Sequence, residues 1–180
     1  IERRAGGETG VEAVQCLEGE AVWSFLDCNR WAQKLFAAAL GCSEDPRENP
    51  RAGDQAALYR VWHRDGVETA IFLLPDGASD FCVAVDVEGR EEPLATMMWR
   101  YKPELRSFDA LILRLEELFE TGRAPYPVER TLLVTGALEQ LLESRIHGHV
   151  RIDTPHLDIA YQVDERSFHV TGDPSEPWLA

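Results

Sequence analysis

The chain has 180 residues, 44% hydrophobic and 28% charged, with 32 acidic against 18 basic side chains and a formal net charge of −14. That length supports one substantial core, and a single domain over residues 1–180 is the expectation. The acidic balance argues against nucleic acid or an anionic membrane as partner, because neither attracts an acidic protein. The chain opens on Ile1-Glu2-Arg3-Arg4, a charged segment that reads as the last turn of a helix and as the start of a fragment. The breaker Gly6-Gly7 and Glu8-Thr9-Gly10 follow, as a turn into Val11–Leu17, whose alternation predicts a strand.

Glu20–Leu40 is helical in pattern and falls into two pieces. Val22, Phe25 and Leu26 make one face, Asp27 or Asn29 caps the second piece, and Trp31, Leu35 and Phe36 recur at helical spacing. Residues 42–55, with two prolines and mixed charge, are a surface loop. Asp65-Gly66 is the strongest hairpin signal in the chain. Taken as a two-residue turn, it sets His63 against Glu68, Val61 against Ala70 and Tyr59 against Phe72, with Trp62 against Thr69 on the other face. A second pair follows at Asp80–Glu88 and Leu94–Tyr101, with Phe81, Val83, Val85 and Val87 on one clean face.

These four segments predict an open, mostly antiparallel sheet with helices on one face, an α+β fold. Its other face carries bulky side chains, and a lone monomer rarely leaves such a patch in water. Trp62, Phe72, Met97, Trp99 and Tyr101 are the candidate interface to another subunit or domain. The alternative is that the N-terminal helices cover that face.

Ser107 caps an amphipathic helix with Phe108, Leu111, Ile112, Leu115, Leu118 and Phe119 on one stripe, ending at Gly122. Pro125-Tyr126-Pro127 leads into a long helix to about Ile146, with Pro127 as its first helical residue. Gly136 in its middle costs about 1 kcal/mol against alanine, which points to a close approach by another segment. Val150–Ile152 and Leu157–Val163 are strand candidates. The four cysteines, Cys16, Cys28, Cys42 and Cys82, form no C-x-x-C pair and lie among apolar neighbours, as reduced cysteines in a cytoplasmic protein would. No apolar run approaches the roughly 20 residues of a membrane span.

His147-Gly148-His149, with His156 and Asp158, lacks the carboxylate or cysteine at a familiar spacing that a zinc site needs, so no metal is assigned. Gly6-Gly7-Glu8-Thr9-Gly10 is neither G-x-G-x-x-G nor a Walker loop, so no cofactor-binding residue is assigned either. Tyr126, Glu129 and Arg130, at the start of the long helix, are candidates to face a cleft. His156 and Asp158, two apart on an extended piece, would point to the same side. No serine or cysteine has a nucleophile setting such as G-x-S-x-G.

The run APYPVERTLLVTGALEQLLESR, then VRI and TPHLDIAY, resembles the end of proteins in the Gfo/Idh/MocA oxidoreductase family, relatives of glucose–fructose oxidoreductase and inositol dehydrogenase. The start, IERRAGGETGVEAVQCLEGEAVW, resembles one bacterial branch of the same family. The resemblance implies a C-terminal domain that shapes a substrate pocket and makes an oligomer interface. It also implies that the N-terminal Rossmann domain, the NAD(P) it binds and the catalytic lysine and histidine lie outside this chain. The expectation is a substrate-binding and oligomerisation domain of an NAD(P)-dependent, sugar-type oxidoreductase, inactive alone. A non-catalytic binding or assembly module of the same fold is the alternative. Expected partners are a second copy, the Rossmann domain and a carbohydrate-like small molecule.

Overall fold

The computed structural model describes residues 1–44, 49–51, 54–75, 80–97, 107–163, 169–170 and 178–179. Strand β1 (Val11–Glu18) is paired on both sides, by β2 (Ala57–His63) and by the short β6 (Ile152–Asp153). With β3 (Glu68–Leu73) they form a four-stranded antiparallel sheet in the order β3-β2-β1-β6. Strand β1 takes the middle because both of its faces are apolar. A bulge between Val11 and Ala13 brings Val11 onto the same side as Val14, while Leu17 joins the opposite core.

Helices α1 (Glu20–Cys28) and α2 (Arg30–Leu40) cover one side. Val22, Phe25 and Leu26 of α1 and Ala32 of α2 bury against Leu58, with Leu17, Phe36, Ala70 and Phe72 around them. The break between the helices is satisfied locally. The Asn29 Nδ2 turns back to donate to the Phe25 carbonyl at 2.6 Å, and Gln33 Nε2 donates to Leu26 at 3.0 Å and Asp27 at 2.8 Å. Asn29 is therefore the N-cap position of α2 without a side-chain bond into that helix.

Helix α4 (Val128–Ile146) covers the other side, with Leu133 and Leu141 against Val11, Val14 and Val61. It starts one residue later than read from the sequence, with Pro127 extended at ψ 143° as its N-cap. Gly136 does meet a close neighbour: a Cβ there would lie 2.6 Å from Leu157 Cδ2. Buried hydroxyls pin the layer. Ser144 Oγ accepts from the Cys16 N–H at 3.0 Å and donates to the Val150 carbonyl at 2.6 Å, and Thr154 Oγ1 donates to the Val11 carbonyl at 2.9 Å.

The architecture is α+β with open antiparallel sheets, and three details of the sequence reading change. First, the β2–β3 loop is Arg64-Asp65-Gly66, closed by the His63 N–H on Val67 O at 2.8 Å, with Gly66 at φ 85°. This is the three-residue loop with a left-handed glycine, and it shifts the pairing by one, to Trp62 with Glu68, Tyr59 with Ile71 and Leu58 with Phe72. The shift puts Phe72 under the helices, 4.9 Å from the Phe36 ring, rather than on a bare face. Secondly, β4 (Cys82–Val85) and β5 (Leu94–Met97) form a separate two-stranded sheet packed on α2. Met97 is half-buried opposite Cys82; Trp99 and Tyr101 lie outside the described residues. Thirdly, of the expected strand Leu157–Val163, Leu157 ends a 3-10 turn, Pro155–Leu157, and Tyr161 makes an isolated bridge to Glu8. The short β7 (His169–Val170) and β8 (Trp178–Leu179) pair antiparallel.

The bare apolar surface lies elsewhere than on the face under α1 and α2. Ile71 and Leu73 of β3, Phe81, Val83 and Val85 around β4, and the stripe of α3 (Ser107–Thr121) are exposed. Helix α4 carries a second apolar stripe as well: Val134, Leu138 and Leu142 are 59%, 48% and 42% exposed. Among the described residues no helix is long and apolar enough to cross a membrane.

Candidate functional site

The densest polar cluster is centred on Glu8, in the bend read as a plain turn. Gly6, Gly7 and Gly10 have φ of 87°, 79° and 96°. A Cβ at Gly7 would lie 2.6 Å from the Tyr161 carbonyl oxygen, and one at Gly10 would lie 2.7 Å from that of Leu157. Only glycine fits there, so the bend can pair its backbone with Tyr161, Glu8 N–H donating at 2.8 Å and Tyr161 N–H returning at 3.0 Å.

This geometry turns the Glu8 side chain inward until the residue is 4% exposed. Its Oε1 accepts from the Thr9 N–H at 2.9 Å, the Gly10 N–H at 3.1 Å and Arg4 Nη2 at 3.1 Å, and lies 3.0 Å from His63 Nδ1. Oε2 accepts from Arg4 Nη1 at 3.2 Å. Burial alone would raise this carboxyl, but the hydrogen bonds from Arg4 and His63 outweigh it and hold Glu8 below the usual carboxylate range. An ionised carboxylate only accepts, so His63 Nδ1 carries the proton between them. Arg4 Nε continues the chain to Asp65 Oδ2 at the hairpin tip, 2.5 Å away.

A second group adjoins it. Tyr161 Oη donates to Glu2 Oε2 at 3.1 Å, Arg130 Nε forms an ion pair with the same oxygen at 3.0 Å, and the Arg130 guanidinium stands 5.0 Å over the Tyr126 ring. Burial, then the bond to Glu2, pushes the Tyr161 phenol up to about 12. Beside these groups an open groove of about 730 Å³ is lined by Glu12, Arg64, Arg151, Asp153 and Pro155. Arg64 pairs there with Asp158 at 3.2 Å.

The expected site residues thus divide. Tyr126 and Arg130 come together at the start of α4, and Asp158 stands near the groove through Arg64. Glu129 and His156 are exposed. The 3-10 turn at Pro155–Leu157 removes the extended geometry that would have aligned His156 with Asp158. Trp62 is half-buried, with the guanidiniums of Arg60 and Arg151 at 4.4 Å and 4.6 Å from its ring. His147 and His149 approach separate carboxylates, Glu143 at 3.3 Å and Glu18 at 3.7 Å. Among the described residues no three His, Cys, Asp or Glu side chains converge as metal ligands would.

The Glu8 cluster was missed because a glutamate between glycines reads as solvent-facing. Its signals are Arg4 four residues earlier and a histidine closing the next hairpin strand, but neither shows in periodicity. Chemically the cluster is a clamp: each oxygen of Glu8 has a donor, and among the described residues no hydroxyl or thiol is bonded to His63. The glycine bend does not fit a dinucleotide. It precedes a strand rather than a helix, and its Thr9 and Gly10 N–H groups, which a pyrophosphate would need, are taken by Glu8. No family model, curated protein or solved structure matches the chain.

Proposed function

We propose that the chain is the substrate-side and oligomerisation domain of a cytoplasmic NAD(P)-dependent oxidoreductase acting on a carbohydrate-like molecule. In this reading a Rossmann domain outside the chain holds the cofactor. The observation that carries it is the two-sided apolar character of α4. Leu133 and Leu141 bury against the sheet, while Val134, Leu138 and Leu142, at i, i+4 and i+8, form a second, exposed stripe beside that buried line. A helix apolar on two sides is built to be covered on two sides. Support also comes from where the family-like stretches meet: the opening bend and the TPHLDIAY segment pair through Glu8 with Tyr161, and Gly10 passes close to the Leu157 carbonyl.

The Arg130–Glu2–Tyr161 group, with Tyr126 and the Arg64–Asp158 pair, is the polar surface this domain presents towards a substrate. The misfit of the glycine bend to a dinucleotide agrees with a cofactor site elsewhere. The test is the thermal midpoint of the chain with saturating NAD(H) or NADP(H): no shift is expected, and a rise would overturn the assignment of the cofactor site. The self-sufficiency of the Glu8 cluster favours a second reading, an assembly module without chemistry. Oxidoreductase activity with a carbohydrate when the chain is joined to a dinucleotide-binding domain distinguishes the two.

A further inference from the structure

Two thiols share the seam between α2 and the β4–β5 hairpin. Cys42 lies just beyond the end of α2 and is half-buried. Cys82 opens β4, where exposure alternates so that Cys82 and Ala84 are half-buried while Val83 and Val85 are exposed. Both strands of the hairpin pack on α2, so the half-buried side of β4 is the one turned towards it. The chain around both thiols is clasped: Asp80 Oδ2 accepts from Ser43 Oγ at 2.8 Å and from the Glu44 N–H at 3.0 Å. At the far end of the seam Lys34 Nζ bonds Asp86 at 3.1 Å and the Glu91 carbonyl at 3.0 Å. The hairpin is thus held to α2 at both ends by polar contacts, and the cysteines flank one of these clasps.

We propose that Cys42 and Cys82 form a redox pair, in which a peroxide-class oxidant closes a disulfide tying the end of α2 to β4. Cys42 as thiolate attacks one peroxide oxygen, breaking the O–O bond and releasing the alcohol or water, and becomes a sulfenic acid. The Cys82 thiol then attacks that sulfur and expels water. The balance is two thiols and one peroxide giving one disulfide, one alcohol or water and one further water, with two electrons passing to the peroxide. Burial, then the Asp80 carboxylate and the neighbouring Cys42 thiol, pushes the Cys82 thiol up, which suits it to the second step rather than the first. Cys16, buried in the main sheet, and Cys28, exposed at the end of α1, stand outside this seam.

The test is oxidation of the whole chain with hydrogen peroxide, alkylation of remaining thiols in denaturant, and peptide mapping by mass spectrometry. A single intramolecular Cys42–Cys82 peptide is expected, with Cys16 and Cys28 alkylated. The thermal midpoint should rise on oxidation and return with dithiothreitol. Cys42→Ser and Cys82→Ser should each abolish both the linked peptide and the shift. Alkylation of both residues, their oxidation to unlinked acids, or pairing with Cys28 or with another chain would overturn the proposal.

Discussion

The carboxylate of Glu8 and the imidazole of His63, 55 positions apart in sequence, meet at 3.0 Å with both residues more than nine-tenths buried. Their contact joins the opening bend to the end of β2. With Arg4 and Asp65 it ties the bend to the hairpin tip as well.

Replacing Glu8 by alanine takes the carboxylate acceptor from His63 and from the Thr9 and Gly10 N–H groups, and one of its two carboxylate partners from Arg4. Truncating one partner of a buried charged pair costs about 3–5 kcal/mol. We expect Glu8→Ala to lose at least about 3 kcal/mol, measured from urea unfolding.

The pH dependence follows from the sign of the Glu8 shift. Its folded value lies below the unfolded one, so the unfolded state binds the proton first as pH falls. The stabilisation is complete above the ordinary carboxylate value and is lost as pH falls through the folded one. Wild-type stability should therefore decline on acidification, and the decline should be shallower in Glu8→Ala, read from unfolding midpoints across a pH series.

Tyr161 predicts the opposite limb. Its folded value is raised to about 12, so its contribution is complete below the unfolded tyrosine value and is lost as pH climbs through the folded one. An absorbance titration of tyrosinate should show one late-titrating residue, absent in Tyr161→Phe.

Gly136→Ala sets two effects against each other. Helix propensity favours alanine by about 1 kcal/mol, while overpacking a filled core costs about 1–3 kcal/mol. The new Cβ would lie 2.6 Å from the Cδ2 of Leu157, itself 2% exposed. A net loss of about 1 kcal/mol is expected in the wild type. In a Leu157→Ala background the same substitution should become stabilising, a change of sign that a double-mutant cycle reads directly.

The α+β class and most helix limits were legible because caps, breakers and apolar spacing are local signals. Ser107, Gly122 and the Asn29 break mark helix ends within a few residues of the observed ones. Register was less so: Asp65-Gly66 announces a hairpin, but whether Arg64 joins the loop is decided by the pairing of β2 with β1. The central place of β1 depends on partners far along the chain, Ala57–His63 and Ile152–Asp153. Glu8 was hidden because its burial depends on Tyr161 and Leu157 closing over glycines. His156 and Asp158 share a side only on an extended piece, and the 3-10 turn at Pro155–Leu157 takes that geometry away.

The claim that the second apolar side of α4 is an assembly surface is tested most directly by sedimentation velocity over a concentration series, with wild type and Leu138→Asp/Leu142→Asp compared. The account predicts that the wild type associates into a dimer or larger species and that the double variant sediments as a folded monomer. A wild type that stays strictly monomeric at the highest concentration would contradict it.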